Sequence, residues 1–162
     1  MGEVVEKITL VNALDAGMAR HGIIKESDVR QVTVDAVVDT GAGPLVITEA
    51  MRQKLGLEIV KDSSVHLAGD VPQKCTVAEV VKIIWKDRYS HSDPTVLPAG
   101  HETLLGVIPL EDMDLMVNPV KRCLVGAHGD EWVRQVRALD RRTPSTRPFG
   151  SSMVQRFNGN SC

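Results

Sequence analysis

The sequence predicts an all-β fold, a barrel or sandwich of short strands with one or two short helices. Two observations carry that prediction. Apolar runs are many, short and rich in β-branched residues, and few stretches hold a helical period. Gly and Pro punctuate the gaps between them.

Taken in order, residues 4–11 read as a first strand. Residues 12–28 hold Gly17 and Gly22 with mixed polarity and read as a long connection, with room for a strand at its centre. Residues 29–38 alternate at first, through Val32 and Val34, then turn continuously apolar as a strand entering a core does. After the turn at Gly43-Pro44, residues 45–47 form a short apolar run. Thr48 then opens a short helix with an early acid (Glu49), a late Lys54 and Gly56 just past the last turn.

Residues 65–76 contain Gly69-Asp70 and Pro72 and read as a hairpin tip, and residues 76–85 as one strand. Residues 87–93 look polar and turn-like, and residues 94–97 extended. In residues 103–113 two large apolar residues meet a Gly before a short helix. Residues 115–117 form a strand ending at Asn118-Pro119, with residues 121–125 as its hairpin partner and a further turn at 126–130. Residues 131–137 fit a helical face or a returning strand equally well. From Arg141 onward Pro, Ser, Gly, Asn and Arg dominate, the composition of a disordered tail. The expected organisation is one domain over residues 1–137 and a tail over residues 138–162.

Composition narrows the function classes. At 162 residues the chain is long enough for one domain with a real core, and 43% hydrophobic against 3% aromatic residues makes that core mainly Val, Leu, Ile and Met. Lys and Arg total 19 against 21 Asp and Glu, a balance that gives no reason to expect nucleic acid as a partner. The late arginines, from Arg134 to Arg156, read as a solvated tail. The start lacks the basic and apolar segments of a signal peptide, and Glu6 stands where a myristoylation signal wants Ser or Thr. No apolar stretch approaches the roughly 20 residues that span a bilayer, so no membrane partner is expected. Cys75, Cys123 and Cys162 are widely separated and odd in number, which suggests reduced thiols and a cytoplasmic protein.

The chemistry points to one junction. The apolar residues 32–38 run straight into Asp39-Thr40-Gly41-Ala42, so a carboxylate would leave a sheet and enter a tight turn. Thr40 can hydrogen-bond backbone locally, Gly41 allows close backbone approach and Ala42 adds little bulk. Burial or a neighbouring like charge would raise the pKa of such a carboxyl and suit it to acid–base work. A turn-capping Asp is the structural alternative. A weak internal echo exists, because Thr103-Leu104-Leu105-Gly106 again leads an apolar pair into a Gly turn and a helix-like segment. The histidines, His21, His66, His91, His101 and His128, form neither HxH nor HExxH nor a zinc-finger spacing, so no metal or other cofactor is expected. Phosphate-handling enzymes that share Asp-Thr-Gly need larger α/β domains, and phosphorylated-Asp pumps want Lys where Thr40 stands.

On these residues the chain resembles the retropepsin-like aspartic proteases, most closely their bacterial single-domain group. Asp39-Thr40-Gly41-Ala42 matches the catalytic motif after an apolar strand, and Leu104-Leu105-Gly106 matches the second signature. The likeness covers residues 7–125. It implies a closed acid-protease barrel with a flap hairpin, and a homodimeric aspartic endopeptidase in which each chain supplies one Asp39. It further implies that Thr40 and Gly41 brace the catalytic loop. Ala42 and the flap residues Leu67, Ala68, Gly69 and Asp70 would meet a peptide or protein substrate, with Leu104, Leu105 and Gly106 beneath the site. The chain departs from the best-known viral members in having only Gly69 at the flap tip, followed by Asp70 and Pro72, and Gly43-Pro44 after the motif. Interface strands are expected within residues 117–136. The alternative on the same fold is a catalytically silent dimer acting as a peptide-binding or scaffolding module.

Overall fold

The computed structural model describes residues 3–66 and 72–134. Nine strands form one mixed sheet. They are β1 (Val5–Asn12), β2 (Gln31–Val38), β3 (Val46–Thr48), β4 (Ile59–His66), β5 (Pro72–Ala78), β6 (Val81–Trp85), β7 (Arg88–Ser92), β8 (Thr95–Leu97) and β9 (Leu104–Leu105). Their order is β4-β5-β8-β3-β9-β2-β1-β6-β7, and the ladder does not close on itself among the described residues. A separate hairpin pairs β10 (Leu115–Asn118) with β11 (Cys123–Gly126). The helices are short: α1 (Ala13–Arg20), α2 (Glu49–Leu55) and α3 (Val107–Asp112).

Aliphatic side chains do fill the core. Ile8, Leu10, Leu45, Ile47, Leu55, Ile83, Leu105 and Leu124 are almost fully removed from water and pack as one cluster. Helix α2 has the ends its sequence suggested. The Thr48 hydroxyl accepts from Met51 N, and Gly56 closes the helix in the left-handed region at φ 61°.

Four expectations need correction. The connection over residues 12–28 holds no strand; it holds α1. Asn12 caps that helix by accepting from Asp15 N at 3.1 Å, while its Nδ2 donates to Leu55 O at 2.9 Å. Asp15, buried, takes Arg30 Nε at 2.6 Å and Nη2 at 2.7 Å, so an ion pair to a buried carboxylate rather than an apolar stripe anchors the helix.

Residues 76–85 are two strands, not one. β5 pairs with β4 and β8, and β6 with β1 and β7, with Glu79 N bonded to Glu58 O at the break. Residues 87–93 contain a strand, β7, with inverted polarity. Arg88, Ser90 and Ser92 face inward while Tyr89 and His91 face out. The thiols are not all reduced: Cys75 is free and buried, whereas Cys123 is disulfide-bonded.

One strand escaped the sequence altogether. Only one of the eight residues of β4 is even half-buried, so it carries no hydrophobic period to read. Residues 131–134 adopt neither helix nor strand, and the rest of the ambiguous segment, like the tail, lies outside the described residues. Among the described residues no helix is long and apolar enough to cross a membrane.

Candidate active site

Asp39 is positioned by backbone on both sides. β9 lies between β2 and β3, the two strands that the Asp39 loop joins. It runs parallel to β2, with Val37 opposite Leu104 and Val38 opposite Leu105. Pairing continues one residue past β2, where Asp39 N donates to Leu105 O at 3.1 Å. Across the strand, Val38 N donates to Val4 O at 2.8 Å. The loop therefore leaves a sheet interior at a fixed point and arches over the end of β9.

Within the loop the chain turns back on the carboxylate. Gly41 N donates to Asp39 Oδ1 at 2.9 Å and Ala42 N to Asp39 O at 3.1 Å, the local pattern by which an Asp side chain closes a turn. A Cβ on Gly41 would stand 3.2 Å from that same oxygen, so glycine keeps the amide close without crowding. Asp39 is half-buried, and Thr40 and Gly41 are exposed. Among the described residues the Gly41 amide is the only hydrogen-bond partner of the carboxylate, and the Thr40 hydroxyl has none.

The second signature forms the floor. Val107 N donates to Ala42 O at 2.8 Å and Ile108 N to Gly43 O at 3.0 Å, so the first amides of α3 hold the far side of the loop. Gly106 fits between them because a Cβ there would overlap the carbonyl oxygens of Pro44 and Gly43. Leu105 points into the main core, whereas Leu104 packs with a second, smaller cluster.

That smaller cluster was not legible in the sequence. Val46, Cys75 and Leu97 are buried together, with Val65 and Leu104 against them, so the apolar underside of the β4–β5 hairpin reaches the strand that flanks Asp39. Strand alternation was the available signal: Leu45 and Ile47 face the main core, so Val46 must face the other way. Beside it lies a cavity of about 410 Å³ lined by Glu49, Ile59, Lys74, Cys75, Thr76 and Leu97 among others. The hairpin itself pairs from Ile59 opposite Ala78 to His66 opposite Pro72. Leu67, Ala68, Gly69 and Asp70 lie outside the described residues.

Two carboxyls elsewhere in the fold are held by arginines. The Arg30 guanidinium holds the Asp15 carboxyl below the usual carboxylate range, against the opposing effect of burial. Arg52, helped by Gln53, does the same for Glu49. No three His, Cys, Asp or Glu side chains are grouped to hold a metal among the described residues.

The sheet thus presents one carboxylate on a turn braced by two strands and a helix end. A model of the aspartyl protease family matches residues 26–108, just over half of the chain, and the chain belongs to that family. Two solved structures are similar to it. One is the retroviral protease-like domain of Ddi1 from Leishmania major, 17% identical over 58% of this chain and 78% of that one, with a TM-score of 0.44. The other is a retropepsin-like aspartic protease from Rickettsia conorii, 19% identical over 72% of this chain and 85% of that one, also at 0.44. No curated protein matches the chain.

Proposed function

We propose that the chain is a homodimeric aspartic endopeptidase in which two Asp39 carboxyls, one from each copy, activate a water between them. The observation that carries this reading is the state of Asp39: a half-buried carboxylate, braced by backbone, with no second carboxylate bonded to it among the described residues. Peptide hydrolysis by this chemistry needs two, and a two-fold axis through the loop supplies the other. The exposed Thr40 hydroxyl, without a partner among the described residues, suits that axis.

Two such carboxyls cannot both ionise readily at close range, so the pair holds one proton. The ionised member takes a proton from water, which attacks the scissile carbonyl. The protonated member hydrogen-bonds the carbonyl oxygen, and the leaving nitrogen is protonated as the bond breaks. Gly41 keeps its amide on the carboxylate, Ala42 borders the cleft, and Leu104, Leu105 and Gly106 support it from below. In this reading the sheet is part of the closed acid-protease barrel and the β4–β5 hairpin is the flap, with residues 67–70 at its tip. The domain spans residues 1–137, and residues 138–162 follow it as a tail.

The test is cleavage of a peptide library between about pH 4 and pH 8, wild type beside Asp39→Asn, with mass by light scattering. Cleavage by a wild-type dimer and none by Asp39→Asn is the expected result. A folded dimer that binds peptides without cleaving them at any pH would instead establish the silent binding module.

A further inference from the structure

We propose that the buried Arg88 is a positioning residue for the Asp39 loop and acts through α3. The proposal rests on the reading of Asp39 as catalytic. Helix α3 has only six residues, too few to be stable alone, so its placement depends on what holds its ends. The N-terminal end holds the loop, through Val107 N to Ala42 O and Ile108 N to Gly43 O. Just past the C-terminal end, Arg88 Nη1 donates to Met113 O at 3.0 Å and to Asp114 O at 2.6 Å. One guanidinium therefore clasps the far end of the strut whose near end braces the candidate catalytic turn.

Its second arm secures the clasp. Arg88 Nη2 donates to Gly129 O at 2.8 Å and Glu131 O at 3.0 Å. Nη1 also reaches Asp114 Oδ2 at 3.4 Å, and that carboxylate takes Val133 N at 3.2 Å and lies 2.7 Å from His128 Nδ1. The side chain of Arg88 is only 3% exposed, and Gly126 makes room for it, since a Cβ at Gly126 would overlap Nη2. This planar fork serves carbonyls in two directions at once, which a lysine ammonium on a single stem does not reproduce. The competing account is that Leu110 and Met113, both buried in the core, place α3 without help.

The two accounts separate in the full chain by amide hydrogen exchange of Val107 and Ile108, read with the β1–β6 ladder as internal reference. Arg88→Met keeps much of the apolar stem and removes every donor. It is expected to speed exchange at Val107 and Ile108 by about tenfold or more with the ladder unchanged, and to lower kcat by about tenfold with KM nearly constant, because misplacement of a catalytic group costs rate. Arg88→Lys is expected to rescue little of either. Should Arg88→Met fail to fold, His128→Ala decides, since it loosens Asp114 from the solvent side and should give the same selective pattern at smaller amplitude. Unchanged exchange at the two amides, or an equal rise everywhere, overturns the proposal. The exchange result stands even if the wild type cleaves nothing, so failure of the protease reading is distinguishable from failure of this one.

Discussion

Gly106 rests directly on Gly43: a Cβ on Gly106 would lie 2.7 Å from the Gly43 carbonyl carbon and overlap its oxygen. The two turns that follow β2 and β9 thus touch backbone to backbone, with no side chain between them. Gly106 has an ordinary φ of −80°, so the need for glycine is one of space and not of dihedral angle.

Gly106→Ala should accordingly lift the loop off its floor. Overpacking against main-chain atoms costs about 1–3 kcal/mol, measured as a shift in the urea midpoint. The Ala42 and Gly43 carbonyls would also lose alignment with α3, so peptide cleavage should fall further than the stability loss accounts for.

Gly56→Ala tests the other kind of glycine. At φ 61° a side chain is strained, and a Cβ there meets Arg30 Cζ at 2.5 Å. The cost should be about 1–2 kcal/mol from the backbone conformation, and more because Arg30 must move from Asp15. Denaturant unfolding of Gly56→Ala beside Arg30→Ala and the double variant measures both parts, and the two substitutions should be non-additive.

Acid should unfasten α1. The hydrogen bonds from Arg30 hold the folded pKa of Asp15 below the usual carboxylate range. The ion pair therefore contributes fully above the unfolded value and is lost as pH falls through the depressed folded value. Stability of the wild type should drop below about pH 4 more steeply than that of Asp15→Asn, whose curve lacks this group. At neutral pH Asp15→Asn should cost about 2 kcal/mol, less than a fully buried pair, because Arg30 is half-exposed and water can take up its charge. Thermal melts from pH 2.5 to 7, roughly the range over which a carboxylate titrates, would show the divergence.

Asp39→Asn should remove cleavage without loosening the turn. An amide oxygen can still accept from Gly41 N, so the urea midpoint should move by less than about 0.5 kcal/mol. Light scattering should return the same mass as for the wild type. A monomeric Asp39→Asn beside a dimeric wild type would show instead that the shared proton helps hold the two copies together.

Legibility followed apolar patterning. The strand into Asp39, the helix between Thr48 and Gly56 and the Leu104-Leu105-Gly106 turn each carry apolar residues at a readable period or a cap of fixed chemistry, and each is where the sequence places it. Elements stabilised by polar interiors were not legible. α1 depends on Asn12 and Asp15, whose burial needs Leu55 and Arg30 from elsewhere in the chain. β7 hides Arg88, Ser90 and Ser92 and exposes its aromatic, so its pattern reads as a loop. The small cluster under the β4–β5 hairpin draws on Val46, Cys75 and Leu97 from three strands, a grouping that only the sheet order creates.

The placing of β9 between β2 and β3 also sets an order of events. Val37 and Leu104 are 67 positions apart, so their pairing closes one of the longest loops in the chain and is slow to nucleate. A nascent chain released up to about residue 100 already contains Asp39, Thr40 and Gly41 but has neither β9 nor the amides of Val107 and Ile108. It cannot form the braced turn. On the proposed reading of Asp39, truncated or partly synthesised products should therefore be inert, and hydrolytic competence should arrive only once Gly106 and α3 have docked.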